Sequence, residues 1–273
     1  MSYHILFKLN LFLINLAGYL RYIKYFFLHH EYFTLVKKNV ELIKKENEEK
    51  VCYVCALGPS LKSVDLENLQ GDTIVVNRFF RHGKTMPSFV PTYYMIVDSA
   101  FGAGENNSLY RECLTSYINR GTKYIINSRC SNSTPKDIDK TNLYYISTFK
   151  GRFNSNKKIR IDKVMPALGN VASAATLCAI GMGYKKIVLL GCDFNSFTTP
   201  FRSHCYNEPG ERKKIRLYFE LFCYSFAANM HGEIAKYAEK EGITIINSTK
   251  GSLIDAYPME IDELLYYQDG EQS

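Results

Sequence analysis

Polar residues at successive strand ends, and one histidine-bearing loop, are the groups in this sequence that could bind and transfer an activated group. Gly191, Cys192 and Asp193 follow directly on a short apolar run at 187–190. A carboxylate set by a glycine turn beyond a buried strand suits a ligand site, because open α/β sheets bind ligands outside the carboxyl ends of their strands. Gly58, Pro59 and Ser60 follow a second apolar run at 51–56, and they offer backbone N–H groups and a hydroxyl to a phosphate or ribose. Asn77 closes a third run at 73–76, and Asp98 closes a fourth at 92–97, where it could equally cap the segment after it. Strands that serve only a core do not require such ends. After Asp193 comes a polar loop of about twenty residues with Arg202, His204 and Tyr206. Histidine titrates near neutrality, so His204 is a candidate general base at the edge that Asp193 marks.

His231 is the alternative base, although a single histidine in an apolar helix is more often a hydrogen-bonded packing partner. Asp137 and Asp139 form a D-x-D of the kind that holds Mg²⁺ or Mn²⁺ on a diphosphate, but they lie in a polar loop after Pro135 and not at a strand end. They read as the acidic start of a helix. No metal ligands and no cofactor are expected. The basic stretch 148–167, with Lys150, Arg152, Lys157, Lys158 and Arg160, is either a lid over an anionic donor or a solvated loop. Eight cysteines are scattered through apolar segments. Cys52 and Cys55 make a CxxC inside a strand with no second pair at zinc spacing, which reads as packing by reduced thiols in a cytoplasmic protein.

The elements that must position these groups alternate. Residues 171–182 are small and apolar, suit a helix pressed on a sheet, and are closed by Gly181 and Gly183. Strands are expected at 51–56, 73–76, 92–97, 123–127, 143–147, 187–190 and 243–247, and a long helix at 215–241. This predicts an α/β fold with a Rossmann-like, mainly parallel sheet and helices on both faces. Residues 51–273 form the catalytic domain, and residues 1–50 a helical segment with a charged connector, KKNVELIKKENEEK, at 37–50. In 3–28, Lys8, Asn10, Asn15, Arg21 and Lys24 interrupt the apolar residues, which predicts helices lying on a membrane surface. Packing on the body, or on a second copy in a homo-oligomer, is the competing reading. The net charge of +7 and an aromatic fraction of 14% fit an anionic surface or substrate, and no motif supports nucleic-acid binding.

Gly169, Asn170 and Val171, the G-x-D at Asp193 and the turn Gly58-Pro59-Ser60-Leu61 together resemble the Campylobacter-type bacterial sialyltransferases and the related MptE-like and flagellin-modification family. The resemblance covers roughly residues 51–260 and implies a sialyltransferase variant of the GT-A-like fold. In that family the first turn reads G-N-G-P-S-L and holds the nucleotide; here Ala56 and Leu57 replace its first Gly and its Asn. Asn77 matches the family's C-N-Q, where the Asn reaches the cytidine nucleotide. Asp98 stands where relatives carry Asn or Asp near ribose or sugar, and Gly169 and Asn170 fall on the donor side. The relatives put a His and Tyr pair after their G-x-D with the His as base, which implies His204 and Tyr206. Residues 247–251 resemble the INxT-x-G turn of the MptE-like group.

The resemblance thus implies an inverting glycosyltransferase that moves sialic acid or another nonulosonic acid from a CMP-sugar donor to a bacterial glycan or glycolipid acceptor, peripheral on the inner face of the cell membrane. The alternatives are an MptE-like pterin pyrophosphokinase, which would need magnesium, and a non-catalytic, membrane-attached partner of glycan assembly.

Overall fold

The computed structural model describes residues 3–102, 107–148, 151–167, 169–201, 203–206 and 213–267. A helix, α1 (Tyr3–Leu28), leads into a short helix, α2 (Glu31–Leu35), and then into 3-10 turns at Val36–Leu42 and Lys45–Glu48. The charged connector is therefore not one helix, and it is packed on the body. Val36 and Leu42 are buried, and the Asn39 amide donates to the carbonyls of Tyr145 and Ile161 at 2.7 Å each.

The strands follow as β1 (Val51–Cys55), β2 (Asp72–Val76), β3 (Tyr93–Ile96), β4 (Lys123–Asn127), β5 (Leu143–Ile146), β6 (Lys186–Leu190) and β7 (Thr244–Asn247). Between them lie α3 (Phe80–Gly83), α4 (Asn107–Thr115), α5 (Val171–Met182) and α6 (Leu217–Lys240). All seven strands are parallel, where the alternating sequence pattern predicts a mainly parallel sheet, and their order is β5-β4-β3-β2-β1-β6-β7. The chain runs outward from β1 to β5 and then returns to place β6 on the other flank of β1. The order reverses between β1 and β6, which is where a doubly wound sheet opens a crevice.

Because strand side chains alternate, the sheet buries a separate apolar core on each face. Cys52 belongs to one and Cys55 to the other, so the two thiols of the CxxC lie on opposite faces and cannot share a metal or a disulfide. Burial pushes both thiols up.

The helix α5 ends at Gly183, which takes φ +102 as a left-handed cap. Gly181 does not close the helix; it lies inside it, where a Cβ would sit 2.4 Å from the Ile161 side chain. The polar residues of the N-terminal segment do not break α1, which is a single helix, largely exposed, and long and apolar enough over Ile5–Leu28 to cross a membrane by length and composition. It touches the body where Asn15 Oδ1 accepts from Arg152 N at 3.2 Å and where Lys157 donates to Tyr19 OH at 2.8 Å.

Candidate functional site

The turns after β1 and β6 are bound to each other before any ligand is considered. Gly58 N donates to Gly191 O at 2.8 Å, and Ala56 N donates to Leu190 O at 2.8 Å. Asp193, 8% exposed, receives Ser60 N on Oδ1 at 3.2 Å and the Ser60 hydroxyl on Oδ2 at 2.7 Å. The fit requires glycine at 58, since a Cβ there would stand 1.8 Å from Asp193 Oδ2. Gly191 adopts φ +64, a conformation that admits glycine without strain.

The turn after β7 braces this edge from the other flank. Thr249 Oγ1 accepts from Cys192 N at 3.1 Å, the Ser252 hydroxyl donates to Cys192 O at 2.7 Å, and Leu253 N donates to Asp193 O at 3.0 Å. The motif at 247–251 therefore acts as a scaffold for the Gly191-Cys192-Asp193 edge.

Beneath these turns is a cleft of about 250 Å³. Of the residues marked from sequence, Gly58, Pro59, Asn77, Asn170, Asp193 and His204 line it. Asn77 follows β2 directly with φ +46, a left-handed conformation that asparagine tolerates better than most residues. The buried Tyr94 holds that bend, because its hydroxyl donates to Asn77 O at 2.6 Å and accepts from Phe80 N at 3.0 Å. Asn170 is the N-cap of α5, with Oδ1 accepting from Ser173 N at 2.7 Å and the Ser173 hydroxyl accepting from Asn170 N at 3.0 Å. Val171 and Ala172, the first helical residues, also line the cleft, so the positive end of α5 borders it, with Ser173 N and Ala174 N already bonded to Asn170. His204, half-buried, is held there by its neighbour, since Cys205 N donates to Leu57 O in the β1 turn at 2.9 Å.

Other marked residues stand elsewhere. Gly169 does not line the cleft; a Cβ would come 2.9 Å from Ala227 Cα, so its smallness lets α6 approach. Asp98 caps the turn after β3, with Oδ1 accepting from Ala100 N at 2.9 Å. Tyr206 is buried, its ring 5.1 Å from the His204 ring, and it lines a second cavity. His231 is fully buried on α6 behind Phe194, with Nδ1 2.9 Å from Tyr257 OH and the Phe194 ring 5.9 Å away. Burial lowers its pKa to about 4, and it does not line the cleft.

The acidic pair does not start a helix: Asp137 binds Arg111, and Asp139 accepts from Thr141 N at 2.9 Å in a local turn. The described part of the basic stretch, residues 151–167, contributes nothing to the cleft; Arg152 reaches Asn229 on α6, and Lys157 meets α1. Lys150 and Arg202 lie outside the described residues. Among the described residues no three His, Cys, Asp or Glu side chains are grouped to hold a metal ion.

Lining residues that sequence reasoning did not mark as site residues include Phe194, Ser196, Ser203, Tyr224 and Ile254. Phe194, at φ +58, packs 4.6 Å from the Tyr224 ring. Its place immediately after Asp193 was the available signal.

No protein family matches the sequence, and no curated protein does. Among solved structures the chain is similar to sialyltransferase CstII from Campylobacter jejuni in complex with the substrate analogue CMP-3FNeuAc, at 16% identity and TM-score 0.44, covering 80% of this chain and 89% of that one. A second structure of that enzyme, with a trisaccharide acceptor and CMP, gives 17% identity and TM-score 0.44 over the same shares of 80% and 89%. The monofunctional α-2,3-sialyltransferase Cst-I from Campylobacter jejuni gives 12% identity and TM-score 0.49 over 83% and 85%. These are enzymes of the type that the sequence motifs resemble.

Proposed function

We propose that the chain is an inverting glycosyltransferase that carries a nonulosonic acid such as sialic acid from its CMP-activated form to a hydroxyl of a bacterial glycan or glycolipid. The observation that carries this reading is the convergence of the β1 turn, Asn77, the N-terminus of α5 and His204 on one cleft at the switch point of the sheet. A leaving CMP bears one phosphate. The opening N–H groups of α5 and the field of that helix can stabilise the phosphate's developing charge. The choice of CMP follows the motif resemblance at Asn77 and the Gly58 turn.

In this reaction His204 takes the proton of the acceptor hydroxyl while its oxygen bonds to the anomeric carbon. The bond from that carbon to the CMP phosphate oxygen breaks on the opposite side, and the electron pair leaves with CMP. The histidine then passes its proton to solvent. Asp193 is a positioning residue in this scheme, since its carboxylate is engaged by Ser60. Tyr206 orients the His204 ring through their 5.1 Å contact. The exposed face of α1, with Lys8, Arg21 and Lys24 among Phe12, Leu20 and Phe27, supports attachment to the anionic inner face of the membrane.

The test is a binding titration of the full-length protein with CMP and with ATP, each with Mg²⁺ present and again in EDTA. Saturable binding of CMP without binding of ATP is expected. Binding of ATP alone would turn the reading towards the pyrophosphokinase, and binding of neither towards a non-catalytic partner.

A further inference from the structure

The strip 203–206 divides two cavities. His204 faces the cleft described above; Cys205 and Tyr206 line a second one of about 560 Å³, together with Lys62, Arg81, His82, Lys84 and Thr85. Lys62 stands on the turn after β1, Arg81 and His82 stand on α3, and Lys84 and Thr85 follow directly. No described lining residue is acidic. Lys84 meets Glu112 at 3.0 Å, both side chains being exposed. Arg81 lies 5.6 Å from the Tyr206 ring.

His82 is the unusual member. It is 7% exposed, and its Nε2 is buried without a hydrogen-bond partner among the described residues. Its carbonyl accepts from Thr85 N at 3.0 Å and from the Thr85 hydroxyl at 2.7 Å, which folds the chain carrying Lys84 back over it. Burial, with Lys62 nearby, lowers its pKa to about 4, so the ring is neutral and can carry its proton on Nε2 as a donor. A buried polar atom left without a partner is costly, and a ligand group that supplies one is favoured. Three cationic side chains, of which Lys84 is shared with Glu112, and one neutral donor, with no acidic side chain among the described lining residues, suit an oxyanion.

We propose that this second cavity binds a carboxylate or phosphate carried by the acceptor, so that the enzyme selects anionic glycan acceptors, an assignment that rests on the transferase reading of the first cleft. His204 and Tyr206 are two residues apart, at most about 7 Å of chain. An acceptor whose hydroxyl meets His204 thus extends a neighbouring acidic group across the strip.

The test uses full-length protein titrated with inorganic phosphate and with acetate, both alone and saturated with CMP. Phosphate or acetate should bind the CMP-saturated protein. Lys62→Ala combined with Arg81→Ala should weaken that binding about ten- to a hundredfold and leave CMP affinity unchanged. The anion that binds more tightly identifies the acceptor's group. In transfer assays the same double variant should raise KM for an anionic acceptor by a similar factor, with kcat and the KM of a neutral acceptor unchanged. Lys62→Glu, a change at an exposed position, should act in the same direction and guards against misfolding. Anion binding that survives both variants, or that CMP abolishes, overturns the assignment. Anion binding that depends on Lys62 and Arg81 in a protein that binds no CMP keeps the oxyanion site and removes both its acceptor role and the transferase reading.

Discussion

The Ser60 hydroxyl donates to Asp193 Oδ2 at 2.7 Å across 133 residues of sequence, and this bond ties the turn of β1 to that of β6 at the point where strand order reverses. Only a residue without a side chain fits between the two at Gly58. Gly58→Ala is expected to push the carboxylate away from Ser60, to lower stability by about 1–3 kcal/mol as the buried bonds are lost, and to weaken nucleotide binding. Ser60→Ala should show part of the same loss. Urea unfolding and CMP titration of both variants check this, and a Gly58→Ala protein as stable as wild type would show that the clip is unimportant.

His204→Ala is expected to lower the transfer rate about 10²- to 10⁴-fold and to leave donor affinity near wild type. His231→Ala should behave oppositely. It removes a fully buried ring and the partner of Tyr257, so a loss of about 2–4 kcal/mol in stability is expected with a smaller effect on the rate of the folded fraction. A folded but inactive His231→Ala beside an active His204→Ala would exchange their roles.

Stability should fall in mild acid. His231 has its pKa lowered by burial to about 4, whereas in the unfolded chain it titrates at ~6.5. Between those values the unfolded state binds the proton that the folded state refuses. Its contribution is therefore fully present above about pH 6.5, is lost progressively as the pH falls, and changes no further below about 4. His82 is lowered to about 4 and adds in the same sense. Unfolding free energies measured from pH 7 to 4 should decline by about 2–3 kcal/mol more in wild type than in His231→Gln. Parallel profiles would mean that the ring is not buried neutral.

Transfer is expected to continue in EDTA, because Asp193, the one acidic side chain among the described residues lining the cleft, is engaged by Ser60. Complete loss that Mn²⁺ or Mg²⁺ restores would return Asp137, Asp139 and Asp193 to consideration as ligands.

Removal of residues 2–28 should abolish binding to anionic vesicles and retain CMP binding, because α1 is largely exposed whereas Val36, Asn39 and Leu42 belong to the body. A cut at residue 45 should unfold the protein. If full-length protein ignores such vesicles, α1 has another partner.

The seven strands, the helix α5 and the polar residues at the strand ends were legible in the sequence, because each depends on local pattern: short β-branched runs, a small-residue helix, and glycines next to strand termini. Gly58, Asn77, Asn170, Asp193 and His204 were legible as a set for that reason. What each one touches emerges only when the chain is folded. Asp193 could not be known to spend its carboxylate on Ser60, nor Asn170 to spend its side chain on Ser173, because those bonds depend on how close two turns or two residues of a cap approach. The same holds for Gly169 against α6, for Asp98 as a turn cap and for Tyr206, which stands two residues from His204 yet lines another cavity. The basic cavity around His82 was invisible in the sequence. It joins the turn after β1, α3 and the loop after β6, and distances between side chains on separate segments are set by the crossovers of the sheet, not by any spacing along the chain.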